Sequence, residues 1–576
     1  MNKWMKRNNK GDNEYDIIDK IAKIRGISDV DRFLNPTENE MFDPYRLKNI
    51  EEAGKRIVRA INNKDRIVVS IDSDVDGITS GTMMIRYLLN RVDNVEYIYS
   101  QRSSGPGIAE QIAVDFVNDN DLNNDGLIIN ESKKDRMELN LSNLEKLSNC
   151  DLLIIIDSSS NDVDACKKLK DKYGLDIIII DHHVIEKEND QSILVNPQQE
   201  GCEYPNKDLS GAGVAYKVIE VVEDMIDDGL DVDYNKYMDL VAVGMFGDVM
   251  RVDVLENRYM IMQGLRNMKN VGLVRILKGA KADLYKLNSD SIGFSIAPMI
   301  NGVTRLDNIE LAIEILLTDD DTVAKKLRLK MHKLNEERKE IQKELVEKYS
   351  KDINENEKII IVSNEDSSKG FNGLVAQQLA SKYKRPVFVG RNHSGSLSGS
   401  FRSYDGFNVK KFLEDSGLVE TGGHPMAGGI TMKYDDLDKL KEYISENMPE
   451  LKDVQKSIIY DLEISQDEIN DYIKPVERFN LVAGNKFPKI IVRVNNVMLE
   501  SVETIGKTME TRKFKTLESL EMVKFKVDEN YAYELGVFDE IDVVGQLQMN
   551  EWYNFGLKKK ISNPQIIIDD YKKSDN

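Results

Sequence analysis

Three short runs of apolar residues recur in the first third of the chain, and an aspartate follows each one. The runs are IVVSI at 67–71, LLIII at 152–156 and IIII at 177–180, a continuous apolar pattern typical of parallel strands buried on both faces. Between the second and third runs, residues 163–173 show helical spacing. This repetition of strand, helix and strand predicts an α/β fold with a doubly wound parallel sheet.

The apolar pattern also predicts the elements around this sheet. Residues 12–60 have apolar positions at helical spacing, a helix is expected over about 78–90, and residues 94–100 have the pattern of the next strand. Residues 118–149 are rich in Asn, Asp, Ser and Lys and predict an insertion with a short strand at GLIIN, 126–130.

The second half of the chain predicts three further parts. Residues 309–352 carry apolar side chains at helical spacing among charged ones, which predicts a long amphipathic helix with His332 on its solvated face. The apolar positions are Leu327, Met331, Leu334, Ile341 and Leu345. The run KIIIVSN at 358–364 and the helix and strand after it predict a second, smaller α/β domain. The last hundred residues alternate strand-like runs with polar turns, as a small β-barrel does.

Asp72, Asp74 and Asp76 come directly after the first predicted strand. The carboxyl ends of strands are where open α/β sheets bind their ligands, and alternate residues of an extended segment point the same way. About three like charges within a few ångströms raise one another's pKa values unless a cation neutralises them. The stretch therefore predicts a hard divalent metal ion, and its alternative is a solvated Asp-rich turn.

Other candidate ligands follow later strands in the same way. Asp157 ends the second strand, Asp181, His182 and His183 follow the third, and Asp248 follows the apolar stretch LVAVGMFG, which we interpret as a further strand. Carboxylate oxygens with one imidazole nitrogen suit Mn²⁺ or Mg²⁺, and the absence of nearby cysteine argues against structural zinc. The alternatives are a strand-end cap for Asp157, a helix N-cap for Asp248 and a buried structural pair for the two histidines.

Composition narrows the class of protein. The chain has 576 residues, too many for one hydrophobic core, and a net charge of −21, which argues against a protein that coats nucleic acid without specificity. An enzyme that grips a few phosphates in a local groove is still allowed. The chain lacks a run of about 18 apolar residues and an apolar leader, and its three cysteines show neither metal spacing nor a disulfide framework. We therefore expect a cytoplasmic protein without a membrane span.

The ordered motifs DSDVDG at 72–77, Asp157, DHH at 181–183 and GDVM at 247–250 resemble those of the DHH phosphoesterase superfamily. Within it the chain is similar to the RecJ-type exonucleases, which degrade single-stranded DNA from the 5′ end. The likeness continues beyond these motifs over nearly the whole length. The further matching strings are INGVTRLDN at 300–308, GSFRS at 399–403, GGHPMAGG at 422–429 and VERFNLVAGNKFP at 476–488.

This resemblance implies a metal-dependent exonuclease with two divalent ions, Mn²⁺ or Mg²⁺, that serves DNA repair and recombination. Asp157 would bridge the ions, and Asp76, His182 and Asp248 would complete one site. Asp74 would serve the other ion, with Asp72 as a ligand or as a support for one. His183 would contact the scissile phosphate. The implied catalytic residues are Asp76, Asp157, His182 and His183.

The resemblance also implies where the strand is held. Arg102, Ser400 and Arg402 would bind the 5′ phosphate, Arg305 would grip a backbone phosphate near the scissile bond, and His424 would add a further phosphate contact. The chain departs from the family pattern at three places, one of which is the segment 370–373 (GFNG), a loose match to its counterpart. Pro106 and Gly107 stand where an aromatic residue is common, and three serines follow Asp157.

The implied fold class is α/β, with a DHH-type parallel sheet domain joined by a long helix to a smaller α/β domain, plus a C-terminal OB-like β-barrel. The expected domains are a helical lead-in at 1–60, the DHH catalytic domain at 61–318, the connecting helix at 319–352, the substrate-binding domain at 353–455 and the OB-like nucleic-acid-binding domain at 456–576.

Two other functions fit the same fold. One is a phosphodiesterase for short oligonucleotides or cyclic dinucleotides, and the other is a catalytically silent scaffold of the replication machinery. Single-stranded DNA is the expected partner, with single-strand-binding protein or a helicase as candidate protein partners and a monomer as the expected state. In the barrel, two interpretations stay open: lysines and aromatic residues form a cationic stacking groove, or Trp552 plugs the barrel. The groove residues are Lys513, Lys515, Lys524, Lys526, Tyr531, Tyr533 and Trp552.

Overall fold

The computed structural model describes most of the chain. The described residues are 3–7, 16–113, 127–351, 353–364, 369–393, 395–404, 406–449, 457–506, 509–518, 520–527, 530–554, 556 and 558–574. Within these ranges, no helix combines the length and the apolar character that crossing a bilayer requires.

The strands are numbered in chain order. They are β1 (Lys3–Lys6), β2 (Ile67–Ile71), β3 (Val95–Tyr99), β4 (Leu152–Ile156), β5 (Asp176–Ile180), β6 (Ile193–Val195), β7 (Ile360–Ser363), β8 (Val387–His393), β9 (Ser396–Arg402), β10 (Val419–His424), β11 (Ala427–Lys433), β12 (Ser457–Tyr460), β13 (Leu462–Ile464), β14 (Ile491–Ile505), β15 (Thr511–Thr516), β16 (Glu521–Phe525), β17 (Glu540–Asn554) and β18 (Lys559–Lys573).

The α-helices are numbered in the same way. They are α1 (Ile17–Arg25), α2 (Val30–Leu34), α3 (Ile50–Asn63), α4 (Val75–Leu88), α5 (Ile108–Ile112), α6 (Leu127–Ser148), α7 (Val163–Tyr173), α8 (Gly211–Met225), α9 (Met238–Gly247), α10 (Leu255–Arg266), α11 (Val271–Gly279), α12 (Ala297–Thr304), α13 (Ile309–Leu317), α14 (Asp321–Ser350), α15 (Lys369–Tyr383), α16 (Val409–Glu414), α17 (Leu437–Asn447) and α18 (Ile469–Asn480).

The chain divides into two compact units. One comprises Phe42–Met250 and Gln263–Val454, and the other comprises Met1–Met41, Arg251–Met262 and Gln455–Asn576. We call the first the α/β unit and the second the barrel unit.

The main sheet of the α/β unit has the strand order β3-β2-β4-β5-β6, and every neighbouring pair is parallel. Strands β2 and β4 are buried along their whole length. The predicted parallel sheet is therefore confirmed, as are its strands and the helix at 163–173. Because the chain passes from β2 to β3 on one side and then to β4 on the other, the strand order reverses between β2 and β4. A reversal of this kind opens the crevice in which such sheets bind ligands.

Two predicted strands are helical instead. The stretch LVAVGMFG belongs to α9, which packs against α4 and α8, so Asp248 lies at the end of a helix and not of a strand. Periodicity cannot separate a buried helix from a buried strand in a run of about eight apolar residues. In the insertion, 127–130 of GLIIN opens α6, so the predicted short strand is wrong there. Residues 114–126 lie outside the described part of the chain.

A second sheet in the α/β unit has the order β10-β11-β9-β8-β7. Its inner strand β9 spans SLSGSFR, and both of its edges pair with neighbours. The sheet therefore uses the backbone N–H groups of this glycine- and serine-rich segment. The long helix predicted before this sheet is confirmed as α14, and His332 is exposed on it as expected.

The barrel unit confirms the predicted small β-barrel. Strands β14, β15, β16, β18 and β17 pair in that order, and β17 pairs again with β14 to close the barrel. The strand β1 was not predicted; it pairs in parallel with β12. Trp552 is half-buried on β17, beyond the part of this strand that pairs with β14, so it does not plug the barrel.

Three of the four lysines predicted for a cationic groove contact other groups of the barrel. Lys513 binds Glu521 at 2.7 Å, and Lys515 lies 3.9 Å from Glu503. Lys524 donates to the backbone carbonyls of Ile568 and Asp569. These three side chains therefore already have partners within the chain.

Arg258 ties together separate segments of the barrel unit. Its guanidinium is fully buried, donates to the carbonyls of Phe33 and Val482 at 2.7 and 2.8 Å, and lies 3.9 Å from the centre of the Phe33 ring. Burial lowers the pKa of Arg258 to about 9. A buried cation satisfied only by carbonyls and aromatic faces makes the packing of these segments depend on one side chain.

Replacing Arg258 with Met should lower the free energy of unfolding of the barrel unit by about 3 kcal/mol, because carbonyl groups lose their buried donor. Both tryptophans of the chain, Trp4 and Trp552, belong to this unit, so urea unfolding followed by tryptophan fluorescence measures the change. Arg478→Met, at an exposed position of α18, is the control and should change the free energy by less than about 0.5 kcal/mol. Equal effects of the two variants would contradict this role of Arg258.

Candidate metal centre and arginine cluster

Local backbone structure fixes the carboxylates that follow β2. Asp72 comes directly after the strand, and Asp74 is the N-cap of α4, accepting hydrogen bonds from the backbone N–H groups of Asp76 and Gly77 at 3.0 and 3.1 Å. Asp76 lies in the first turn of the same helix. The acidic turn is thus a strand end joined directly to a capped helix.

Asp157 follows β4 on the other side of the strand-order reversal. Its backbone φ is 64°, a left-handed conformation that Asp tolerates better than most residues. Its N–H donates to the carbonyl of Ile180 at 2.8 Å. The sheet therefore holds Asp157 in a bend that directs its side chain across the reversal.

Three predicted ligands converge on His182. Its Nε2 atom lies 3.2 Å from Asp157 Oδ1, 3.4 Å from Asp248 Oδ2 and 3.9 Å from Asp76 Oδ2. Asp72, Asp74 and Asp157 form a second group whose oxygen atoms lie within 4.8 Å of one another. The structure therefore gathers all six predicted metal ligands, and Asp157 belongs to both groups.

Buried atoms without partners show that these residues fit a metal. Asp72 Oδ1, Asp157 Oδ1 and His182 Nε2 are buried and have no hydrogen-bond partner in the described part of the chain. Buried polar groups are almost always satisfied, because an unpaired one costs free energy. Carboxylate oxygens and one imidazole nitrogen are a donor set for Mn²⁺ or Mg²⁺. The residues would hold two divalent cations, one in each group, with Asp157 between them.

The carboxylates destabilise one another's charges. Burial raises the pKa of Asp157 well above its usual range, and Asp76, Asp74 and Asp72 raise it further. Burial and the neighbouring aspartates raise the pKa of Asp72 to about 7 and of Asp248 to about 8. Cations between these groups would reverse both effects.

Two glycines leave open the space that the Asp157 and Asp76 carboxylates occupy. A Cβ atom at Gly211, the first residue of α8, would lie 2.5 Å from Asp157 Oδ1, and one at Gly244 would lie 2.4 Å from Asp76 Oδ1. The N-terminus of α8 also donates to Asp76 through the N–H groups of Gly211 and Ala212, at 2.6 and 3.0 Å. The packing of α8 and α9 thus sets the positions of both carboxylates.

The family resemblance gave Asp181 no role, and the structure shows that Asp181 positions His183. Its Oδ1 atom lies 2.7 Å from His183 Nδ1, and its Oδ2 atom accepts from Ser160 Oγ at 2.6 Å. Ser160 is one of the three serines after Asp157 that depart from the family pattern. The hydrogen bond with Asp181 raises the pKa of His183 to about 9. The sequence signal was the DHH string itself, in which Asp181 directly precedes the two histidines.

His183 faces a cavity of about 480 Å³ that Asp72, Asp74, Asp157 and Arg102 also line. The His183 side chain is 58% exposed. Arg102 Nη1 donates to the carbonyl of Ser73 at 2.8 Å. This cavity therefore joins the candidate metal ligands to a cation that a phosphate group can reach.

Arg102, which lines this cavity, is one of three arginines whose charges act on Arg305. Burial lowers the pKa of Arg305 to about 10, and the charges of Arg102, Arg338 and Arg402 lower it further. Arg305 and Arg402 donate to carbonyl oxygens, and Arg338 binds the side-chain oxygens of Asn335 and Gln342. In the ranges that the structure describes, none of the four forms an ion pair with a carboxylate. We call them the arginine cluster; Arg338 carries no motif that marks it in the sequence.

The remaining predicted residues lie on the second sheet. Ser400 is two residues from Arg402 on β9 and lines a different cavity from that of Arg102. His424 ends β10, where it pairs with Ala427, the residue that also pairs with Arg402. The structure therefore brings Arg102, Arg305 and Arg402 together and leaves Ser400 and His424 beside them on the sheet.

Gly211→Ala should weaken Mn²⁺ binding by at least about tenfold, because the new methyl group displaces the Asp157 carboxylate. Titration calorimetry with Mn²⁺ measures the affinity, and circular dichroism checks the fold. Gly213→Ala in the same helix is the matched control, since its nearest neighbour is the flexible Leu209 side chain at 3.0 Å. Unchanged Mn²⁺ affinity in the folded Gly211 variant would refute the role of this cradle.

Comparison with known proteins locates three domain families along the chain. The DHH family, N-terminal domain, matches residues 66–245, the DHHA1 domain matches 352–450, and the RecJ OB domain matches 460–570.

Individual relatives match over most of the chain. The single-stranded-DNA-specific exonuclease RecJ of Bacillus subtilis is 29% identical over 560 residues, which cover 93% of this chain and 65% of that protein. The protein of the same name from Haemophilus influenzae is 26% identical, with 79% of each chain covered. The crystal structure of RecJ from Thermus thermophilus in complex with Mn²⁺ superposes with a TM-score of 0.74 at 21% identity, covering 97% of this chain and 76% of that one. The chain therefore carries matches to the DHH, DHHA1 and RecJ OB domain families in this order, and it is similar to RecJ exonucleases over most of its length.

Proposed function

We propose that this chain is a metal-dependent exonuclease that hydrolyses single-stranded DNA from its 5′ end. The observation that carries the proposal is the convergence of Asp76, Asp157 and Asp248 on His182, with unpartnered buried atoms on Asp157 and His182, beside a cavity that Asp157 and Arg102 both line. Relatives that are named single-stranded-DNA-specific exonucleases support the choice of substrate.

In this mechanism the residues of the chain place one phosphodiester bond beside the metal centre. Two divalent cations, when bound, would supply a hydroxide-like water and neutralise the charge that develops on the phosphate. Asp76, Asp157, His182 and Asp248 would hold one of them, and Asp72, Asp74 and Asp157 would hold the other. His183, which Asp181 positions through its Nδ1 atom, contacts an oxygen of the scissile phosphate.

The arginine cluster gives the enzyme its direction along the strand. Arg102 and Arg402, with Ser400 and His424 beside them, bind the 5′-terminal phosphate, which carries more charge than an internal one. Arg305 binds the backbone phosphate near the scissile bond. We assign Arg338 to this group because Asn335 and Gln342 orient it without neutralising its charge.

The proposal also covers the setting in which the enzyme works. A single copy of the chain supplies all the assigned residues, which supports a monomer. Action in the cytoplasm, a role in DNA repair and recombination, and association with single-strand-binding protein or a helicase stay predictions of the family resemblance.

Purified protein with Mn²⁺ should release mononucleotides from 5′-phosphorylated single strands and leave blunt duplex intact. Strands labelled at the 5′ or the 3′ end, a dinucleotide and a cyclic dinucleotide separate the possible functions in one assay. EDTA or Asp157→Asn should abolish hydrolysis while circular dichroism stays unchanged. Preference for the dinucleotides would instead indicate the small-substrate phosphodiesterase, and no turnover of any substrate would indicate the silent scaffold.

Arg338→Gln should weaken the binding of single-stranded DNA by about three- to tenfold and make the dependence of log K on log salt shallower by about 0.7, the loss of one phosphate contact. Fluorescence anisotropy with Ca²⁺ in place of Mn²⁺ measures both values over a salt series. Lys343→Gln, at an exposed position of the same helix, is the matched control. A salt slope that Arg338→Gln leaves unchanged would remove Arg338 from the phosphate contacts.

A further inference from the structure

An open cavity of about 670 Å³ lies on the second sheet of the α/β unit, beside Ser400. Ser396, Ser398 and Ser400 alternate along β9 and share the face that forms its floor. Strand pairing places Gly429 beside Ser400, and Gly422 beside Gly429. The floor of the cavity is therefore formed in part by β9, the strand that carries Arg402.

The protein itself gives no steric reason for the glycines of this floor. Within the described ranges, a Cβ atom at Gly422 would meet nothing within 4 Å, and one at Gly429 would meet only the carbonyl of Gly399 at 3.8 Å. Neither residue has a positive φ. A strand gains stability from larger side chains at such positions, so these glycines leave room for a ligand.

Asn372 contributes an unsatisfied amide to the wall of this cavity. The side chain is 2% exposed, and its Nδ2 atom has no hydrogen-bond partner among the described residues. Such a buried amide costs free energy unless a ligand satisfies it.

The turn that carries Asn372 also touches the arginine cluster. A Cβ atom at Gly370 would lie 2.7 Å from the carbonyl oxygen of Arg305, and one at Gly373 would lie 2.6 Å from Arg402 Nη2. The first turn of α15 therefore packs against two of the proposed phosphate-binding residues.

The residues that line the cavity indicate which kind of ligand it can bind. It offers hydroxyl groups, the Asn372 amide and one carboxylate, Glu420, and in the described part of the chain no lysine or arginine lines it. This surface suits a neutral, hydrogen-bonding group better than a phosphate. The cavity volume lies within the range of about 300–1,000 Å³ that small-molecule sites occupy.

We propose that this cavity holds the nucleoside of the 5′-terminal nucleotide and that Asn372 hydrogen-bonds to its base. The inference rests on the proposed function, because Ser400 and Arg402 must hold the phosphate attached to that nucleoside. In this arrangement the enzyme recognises the strand end by its first base as well as by its charge.

The test compares first-nucleotide release from two 5′-phosphorylated strands, one with a normal first nucleotide and one with an abasic tetrahydrofuran residue there. With Mn²⁺ and wild-type protein, kcat/KM should fall about tenfold on the abasic strand, the value of roughly one hydrogen bond. An abasic residue at the tenth position is the substrate control and should have no effect.

Protein variants complete the test. Asn372→Leu and Gly422→Val should each lower kcat/KM about tenfold on the normal strand and less than twofold on the abasic strand. Asn447→Leu, at an exposed position of α17, is the control variant. Circular dichroism checks that each variant folds. The comparison of the normal and abasic strands with wild-type protein tests the inference even if a variant fails to fold.

Equal wild-type rates on the two strands would overturn the inference while leaving the exonuclease intact. The same loss on both strands in Asn372→Leu and Gly422→Val would also overturn it. Absence of cleavage of either strand by the wild-type protein would overturn the proposed function and this inference with it.

Discussion

The structure depends on keeping several carboxylates buried and close together at one edge of a sheet. Asp72, Asp76 and Asp157 are almost completely buried, and the charges of Asp72 and Asp76 both raise the pKa of Asp157. Like charges in this position oppose folding unless cations or protons neutralise them. The remainder of the α/β unit must therefore supply enough packing energy to hold the group together before a metal binds.

Three local features of the backbone hold these carboxylates in position. A helix cap fixes Asp74, the N-terminus of α8 fixes Asp76, and a left-handed bend at a strand end fixes Asp157. None of these devices needs the metal, so the ligands are in place before it arrives. Such preorganisation avoids the entropy cost of gathering flexible side chains around an ion.

The sequence predicted the site residues better than it predicted their elements. Asp157 was found for the right reason, because an apolar run that ends on an aspartate marks a buried strand end. Asp248 was predicted to follow a strand, but it follows the helix α9. An apolar run of that length also suits a buried helix. The β9 segment shows tertiary context overriding propensity, because glycine and serine are poor strand formers. Arg338 had no local signal; the role proposed for it arises from arginines that are distant in sequence.

The site contains two clusters of opposite sign, and neither is satisfied alone. Carboxylates crowd around Asp157 and arginines around Arg305, each with groups of like charge as neighbours. A divalent cation relieves the first cluster and a phosphate relieves the second, and the cation and the phosphate also attract each other. The binding of metal and of nucleic acid must therefore be coupled, and each ligand must raise the affinity for the other by the same factor. In the proposed function, this local coupling would allow a chain with a net charge of −21 to bind a polyanion.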